Sequence, residues 1–235
     1  MIPPKASAAF VAAMEDVLAV YTRPHDPARP LVCLDETSKQ LVGETRPAVP
    51  MAPGRPARHD YEYRRNSLPR TRSGGTANLF MAFAPLEGRR HVKVTARRTA
   101  IDYAHMLKDL SDVHFADAEK IILVQDNLNT HVPASLYEAF PPGDARRLVE
   151  RFEWHYTPKH GSWLNPGSSP GQAMAEAELA VLAGQCLNRR IPDPKALDRE
   201  VSAWQTTRNS HIAKADWWFT TDNARIKLKT LYPAN

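Results

Sequence analysis

The chain has 235 residues, of which 43% are hydrophobic and 24% are charged, so it can form one large globular domain or two small ones. A net charge of +5 favours a polyanionic partner only mildly and leaves an enzyme for small molecules open. The two cysteines, Cys33 and Cys186, belong to no C-x-x-C pair, which argues against a cysteine-bound zinc site and favours a reducing, cytoplasmic compartment. No apolar run approaches the roughly 18 residues that a membrane span needs, so no membrane partner is expected.

Hydrophobic periodicity and turn residues divide the chain into an N-terminal helix, a strand-rich middle and a helical end. Strands come first, then strands alternating with helices, then helices, an order that predicts a mixed α/β sheet flanked by helices. The predicted strands are Leu31 to Thr37, two strands within 76–98 that turn near Glu87 and Gly88, Lys120 to Gln125, and 152–158. The predicted helices are 6–20, Ala100 to Leu110 after an N-capping Thr99, one or two within 133–152, 174–190, 195–209 and 221–233.

Two of the predicted strands carry an acidic residue at the end of an apolar run. Asp35 follows LVCL, and Asp126 follows IILVQ. If these strands are neighbours, the two carboxylates lie side by side, and the pKa of one should rise unless a cation compensates. Mg²⁺ with oxygen ligands is the usual compensating ion. Each aspartate taken alone is equally compatible with an ordinary turn or helix cap.

A third acid would complete a two-metal site for in-line phosphoryl transfer. Glu176 and Glu178 both lie at the start of the helix predicted from residue 174. Their spacing puts them about 200° apart around the helix, so only one of them can face the site. The apolar residues of this helix do not choose sharply between the two.

Five long motifs together resemble the catalytic domain of bacterial insertion-sequence transposases, in the mariner-like branch of the DDE superfamily. The resemblance extends over roughly residues 30–233 and implies a ribonuclease-H-like fold, with residues 1–30 forming a helix and linker before a catalytic domain at 31–233. The motifs are CLDETSKQLVGETR, GRPARHDYEYRRN, GTANLFMAFAPLEGRRHVKVTARRTAIDYAHMLKDL, KIILVQDNLNTHVPASLYEAF and RFEWHYTPKHGSWLN.

The resemblance implies metal-dependent DNA strand cleavage and strand transfer by in-line attack on a phosphodiester. Its three carboxylates correspond to Asp35, Asp126 and Glu176, which would hold two Mg²⁺ ions, with Mn²⁺ as a substitute. It is the resemblance that prefers Glu176 over Glu178. The implied partners are DNA, as transposon ends and target, and a second copy of the chain in a homodimer.

The chain departs from the family pattern in three places. About 30 residues precede Asp35 where the family has helix-turn-helix domains, so a separate upstream chain is expected to supply DNA reading. Insertions are expected at 67–74 and at 166–173, and the second places Glu176 eleven residues after Asn165. Two alternatives therefore remain, an inactive remnant that binds DNA non-specifically and a ribonuclease-H-like nuclease with another substrate.

Basic residues outside the acidic site are candidates for phosphate contacts. A proline-rich arm carries arginines interleaved with Tyr61 and Tyr63, although a solvated arm without a ligand explains the same composition. His131 either lies near the metals or makes a helix-starting hydrogen bond, and the second interpretation is preferred. The predicted DNA contacts are Arg55, Arg58, Arg64, Arg65, Lys159 and His160.

Overall fold

The structure, a computed structural model, describes residues 7–46, 49–56, 61–65, 75–158, 166–167, 169–170 and 174–233. Within these residues, one five-stranded sheet is flanked by helices, and two further strand pairs are short. The strands are β1 (Leu31–Gln40), β2 (Val42–Glu44), β3 (Tyr63–Arg65), β4 (Thr76–Ala84), β5 (Arg89–Thr95), β6 (Ile121–Gln125), β7 (Phe152–Tyr156), β8 (Pro166–Gly167) and β9 (Ser169–Pro170). The helices are α1 (Ala8–Tyr21), α2 (Ala100–Asp109), α3 (Ala134–Ala139), α4 (Pro142–Arg151), α5 (Met174–Leu182), α6 (Pro194–Ser210) and α7 (Thr221–Lys227).

The sheet has the order β5-β4-β1-β6-β7, with β1 at its centre. Strands β1, β6 and β7 run parallel, whereas β4 and β5 are antiparallel to their neighbours. All five residues of β6 are buried, as its aliphatic sequence predicts for a strand covered on both faces. The predicted mixed α/β sheet is confirmed.

Alternation along the strands assigns each residue to one face of the sheet. Val32 and Leu34 of β1 pack with helices α2, α3 and α4, whereas Cys33 packs with the start of α5 and with α1. On β6, Leu123 lies on the first face and Val124 on the second. The same alternation puts residues 35 and 126 on the face that the start of α5 covers.

The helix expected over 6–20 is confirmed as α1, and it packs against the sheet rather than apart from it. Val17 and Tyr21 share one apolar cluster with Cys33 of β1 and Val124 of β6. Thr99 caps α2 as predicted. Its side chain accepts a hydrogen bond from the backbone N–H of Asp102, and the Asp102 carboxylate accepts one from the backbone N–H of Thr99. No helix in the described part of the chain is long and apolar enough to span a membrane.

Three sequence predictions need correction or refinement. Strand β1 runs to Gln40 and not to Thr37, because its antiparallel pairing with β4 continues beyond the end of β6. Residues 63–65, predicted as part of an irregular arm, pair with β2 instead. The α-helix expected over 174–190 ends at Leu182 and continues as a π-helical turn over Ala183–Leu187. In the insertion expected at 166–173, β8 pairs with β9; residues 168 and 171–173, and the whole of 67–74, lie outside the described residues.

Candidate active site

Asp35 and Asp126 are adjacent on two parallel strands. The pairing of β1 with β6 ends at Leu34 and Gln125, so the next residue of β1 and the residue that directly follows β6 are both aspartates. Neighbouring strands lie about 4.8 Å apart, and the two side chains leave the sheet on the same face. Asp35 was expected at the end of its strand, but it lies inside β1, which continues to Gln40. Only the parallel strand β6 ends at this level of the sheet. The side-by-side arrangement that the sequence suggested is therefore present.

The electrostatics of Asp35 reflect this crowding. Burial, together with the smaller effects of the Asp126 and Glu176 charges, raises the pKa of Asp35 to about 7 against the opposing hydrogen bond from the Glu36 backbone. That backbone N–H donates to Oδ1 of Asp35 over 2.7 Å. A cavity of about 30 Å³ opens beside the two aspartates and is also lined by Thr157 and Ala175.

Helix α5 carries the third acidic residue of the candidate site. It packs against β1 and β4, and Glu176 lies in its first turn. Burial raises the pKa of Glu176, and its charge acts on Asp35. Glu178 faces elsewhere, because it is buried between Arg90 and Arg208. The tertiary structure thus brings Glu176, and not Glu178, toward the aspartate pair.

His131 connects Asp126 to Glu36, a contact that the sequence analysis ranked second. Its side chain is fully buried; Nδ1 is hydrogen-bonded to Oδ1 of Asp126, and Nε2 lies 3.3 Å from Oε2 of Glu36. Burial alone would lower the pKa of His131, but the two carboxylates raise it to about 9. The preferred helix-starting role is wrong, since the side chain bonds to these acids and not to a helix end.

Tyr103 and Gln125 make a second set of contacts with His131. The ring of Tyr103 stacks on that of His131 with 4.6 Å between centroids. The Tyr103 hydroxyl donates to Oε1 of Gln125 over 2.7 Å, and Nε2 of Gln125 donates to the His131 carbonyl over 2.9 Å. Glu36 also accepts a hydrogen bond of 3.0 Å from Arg98. No periodicity links these five residues, so sequence reasoning had no signal for the network.

The donor set fits a hard divalent cation. Asp35, Asp126 and Glu176 offer only carboxylate oxygens, the ligands that Mg²⁺ prefers. Burial and, to a smaller extent, repulsion by Asp126 and Glu176 raise the pKa of Asp35, and a bound cation would offset both effects. Among the described residues, no three acidic, histidine or cysteine side chains already converge into a metal cluster. Cation binding would have to draw the carboxylates together.

The predicted DNA contacts divide into two groups. Arg55, Arg64 and Arg65 are exposed, and the last two lie on β3. Arg58, Lys159 and His160 lie outside the described residues. Arg190, in the segment between α5 and α6, connects that segment to β2, because it forms an ion pair of 2.5 Å with Glu44.

Asp35 lies on the central strand of a mixed five-stranded sheet, and Asp126 directly follows the neighbouring parallel strand. The family model for the DDE superfamily endonucleases matches residues 30–198, and the chain belongs to that family. The predicted membership of the DDE superfamily is confirmed, whereas the mariner-like branch and a bacterial origin stay predictions.

Three solved structures share the fold, with sequence identities too low to show more than that. The Mos1 mariner paired-end complex with Mg is 16% identical, with a TM-score of 0.53, over 100% of this chain and 66% of that one. The corresponding complex with Mn is 15% identical, with a TM-score of 0.51, over 91% and 62%. The Mos1 strand transfer complex is 16% identical, with a TM-score of 0.52, over 87% and 55%.

The ribonuclease-H-like fold expected from the sequence is therefore confirmed. In these comparisons the chain spans 55% to 66% of the length of the Mos1 transposase chains. No curated protein matches the sequence.

Proposed function

We propose that this chain is the catalytic domain of a transposase that cleaves DNA and transfers strands with Mg²⁺, or with Mn²⁺ in its place. The observation that carries the proposal is the adjacency of Asp35 and Asp126, with the charge of Glu176 also acting on Asp35, whose pKa is raised mainly by burial and further by these two acids. Carboxylates that repel one another at the centre of a sheet stabilise neither the fold nor each other. A site for cations accounts for them.

Each acidic residue has a distinct role in this proposal. Two bound divalent cations would activate the attacking oxygen and stabilise the leaving oxygen of the phosphodiester. Asp35 would be a central ligand, because the charges of both Asp126 and Glu176 act on it. Asp126 holds one side of the pair, and Glu176 closes the other side from α5.

The environment of Asp126 supports a role in orientation as well as binding. His131 bonds to Oδ1 of Asp126, which restricts rotation of the carboxylate and leaves Oδ2 for a ligand. Hydrogen bonds behind a metal ligand commonly set its orientation and its basicity. Arg98 and Glu36 complete the charge balance around the imidazole.

The proposed partner is DNA, as transposon ends and as target. The exposed Arg55, Arg64 and Arg65 support phosphate contacts, and a positive net charge of +5 is compatible with them. The similar Mos1 structures are described as paired-end and strand transfer complexes. A homodimer, and a separate chain with helix-turn-helix domains, belong to the same proposal.

The test is a plasmid-nicking assay with Mg²⁺, Mn²⁺ or EDTA, together with filter binding to duplex DNA. The parent should nick only with metal, and D35N, D126N and E176Q should each reduce nicking by at least a hundredfold while they retain DNA binding. E150Q, on the surface of α4, is a control that should nick like the parent. If D126N nicks at the parental rate, the assigned site is wrong. A parent that binds DNA and never nicks it would point to the inactive remnant.

A further inference from the structure

Helix α5 holds two acids in opposite situations. Glu176 acts on the aspartate pair, whereas Glu178 is 6% exposed and accepts hydrogen bonds of 2.8 Å from Nε of both Arg90 and Arg208. Burying a carboxylate costs free energy unless it is paired and hydrogen-bonded. Glu178 meets that condition, because it is both paired with and hydrogen-bonded to the two arginines. The hydrogen bonds fix the direction of its side chain.

The two arginines come from different elements, so Glu178 is fixed from two sides. Arg90 lies on β5 and is 1% exposed, and Arg208 lies near the end of α6. The remaining N–H groups of Arg90 donate to the carbonyls of Gly88 and Ala213, each over 2.7 Å. The guanidinium also lies 4.3 Å above the centre of the Phe83 ring.

The backbone of Arg90 is held as well. Its N–H donates to Oδ1 of Asn209 over 2.8 Å, and Nδ2 of Asn209 donates to its carbonyl over 2.9 Å. These bonds join β5 to the C-terminal end of α6. Glu178 is therefore anchored to a rigid corner of the molecule that contains no member of the candidate active site.

The anchor determines which way α5 faces. Residues two apart on a helix are separated by about 200°, so holding Glu178 on the side of β5 and α6 turns Glu176 to the opposite side. The sequence of α5, MAEAELAVL, has small or apolar residues on every face, and burial of these residues alone tolerates several rotations. A buried ion pair can supply register where apolar packing does not.

We propose that Glu178, through Arg90 and Arg208, is a positioning residue that sets the rotation of α5 and so aims Glu176 at Asp35. This inference rests on the proposed role of Glu176 as the third metal ligand. Glu178 lies outside the proposed metal site, paired with Arg90 and Arg208. Its effect on metal binding must therefore pass through Glu176 alone.

A double-mutant cycle in Mn²⁺ affinity tests this dependence, with free Mn²⁺ measured by electron paramagnetic resonance on the whole chain. E178Q should weaken Mn²⁺ binding by about tenfold or more, the range found when residues behind metal ligands are changed. E176Q removes a proposed ligand and should weaken binding at least as much. The variant E176Q/E178Q should bind no more weakly than E176Q, because the side chain through which Glu178 acts is already gone. Parental affinity in E178Q, or losses that multiply in the double variant, would overturn the inference.

Two further variants separate positioning from loss of stability. E15Q removes the Glu15–Arg225 ion pair between α1 and α7, and it should leave Mn²⁺ affinity within twofold of the parent even where it lowers the melting temperature. R208Q keeps the Arg90 contact with Glu178, so it should fold where E178Q does not and still weaken Mn²⁺ binding by severalfold. Parental affinity in R208Q would count against the anchor.

The same data distinguish the inference from the proposed function. If E176Q binds Mn²⁺ like the parent, Glu176 is not a ligand, and the proposed site and the inference both fail. If E176Q weakens binding and E178Q does not, only the positioning role is overturned.

Discussion

The imidazole of His131 lies between two carboxylates, bonded through Nδ1 to Asp126 and facing Glu36 through Nε2 at 3.3 Å. Because both nitrogens face acids in a fully buried position, the protonated ring is favoured, and the pKa of His131 rises to about 9. His131 therefore holds the carboxylate of Asp126 in place, a contact that hydrophobic periodicity does not indicate.

Replacing this histidine should reduce stability in a pH-dependent way. A raised folded pKa means that the stabilisation is fully present below the unfolded value of about 6.5 and is lost as pH rises through about 9. H131Q should therefore be less stable than the parent by about 2–3 kcal/mol at pH 6, with a much smaller difference at pH 9.5. Urea unfolding at the two pH values measures it. A difference that does not change with pH would show that the imidazole is neutral in the folded protein.

Asp35 should destabilise the metal-free protein near neutral pH. Its folded pKa of about 7 exceeds the unfolded value of 3.8, so the folded state loses stability as pH rises from about 4 to 7. D35N removes that cost, and without metal at pH 8 it should be more stable than the parent by about 2–4 kcal/mol. Thermal unfolding in EDTA is the measurement.

Adding Mg²⁺ should reverse this ranking. The parent should gain melting temperature with increasing Mg²⁺ at pH 8, because a bound cation offsets the repulsion around Asp35, and D35N should gain much less. If metal-free D35N is no more stable than the parent, the crowding of carboxylates at this site is less severe than the structure implies.

DNA binding should be electrostatic and poorly specific. Affinity should fall with salt by about 0.9 in log K per log unit for each phosphate contact on duplex DNA. Replacing both Arg64 and Arg65 by glutamine should lower that slope by about two contacts, since both side chains are exposed on β3. R146Q, on α4, is the matched control and should leave the slope unchanged. Strong discrimination between terminal-repeat and random duplexes would reveal a reading element within this chain.

Deleting residues 166–173 should raise cleavage with little change in melting temperature. Shortening a loop changes closure entropy by only about 0.6 kcal/mol per twofold change in length. A ligand misplaced by about 1 Å costs on the order of a hundredfold in rate, and the segment immediately precedes the helix that carries Glu176. Nicking rates of the deletion and the parent, compared at saturating Mg²⁺, decide the matter. Equal rates would mean that the inserted segment does not disturb the third ligand.

Local patterns in the sequence were sufficient for most of the helices and strands and singled out two of the acids. The aliphatic run of β6 and the capping threonine of α2 depend only on near neighbours, and both were predicted. Asp35 and Asp126 were recognisable because each follows an apolar run whose burial on both faces leaves the strand little freedom. The resemblance to a known family added Glu176.

Only the tertiary structure decided how these acids are oriented and supported. The length of β1 depends on β4, whose pairing with Glu36 to Gln40 begins about 40 residues further along the chain. The choice of Glu176 over Glu178 follows from Arg90 and Arg208, which lie 88 and 30 residues away from Glu178 in sequence. Periodicity reports which side of a helix is apolar, whereas rotation about its axis is set by polar contacts between distant segments, and those contacts exist only once the chain has folded.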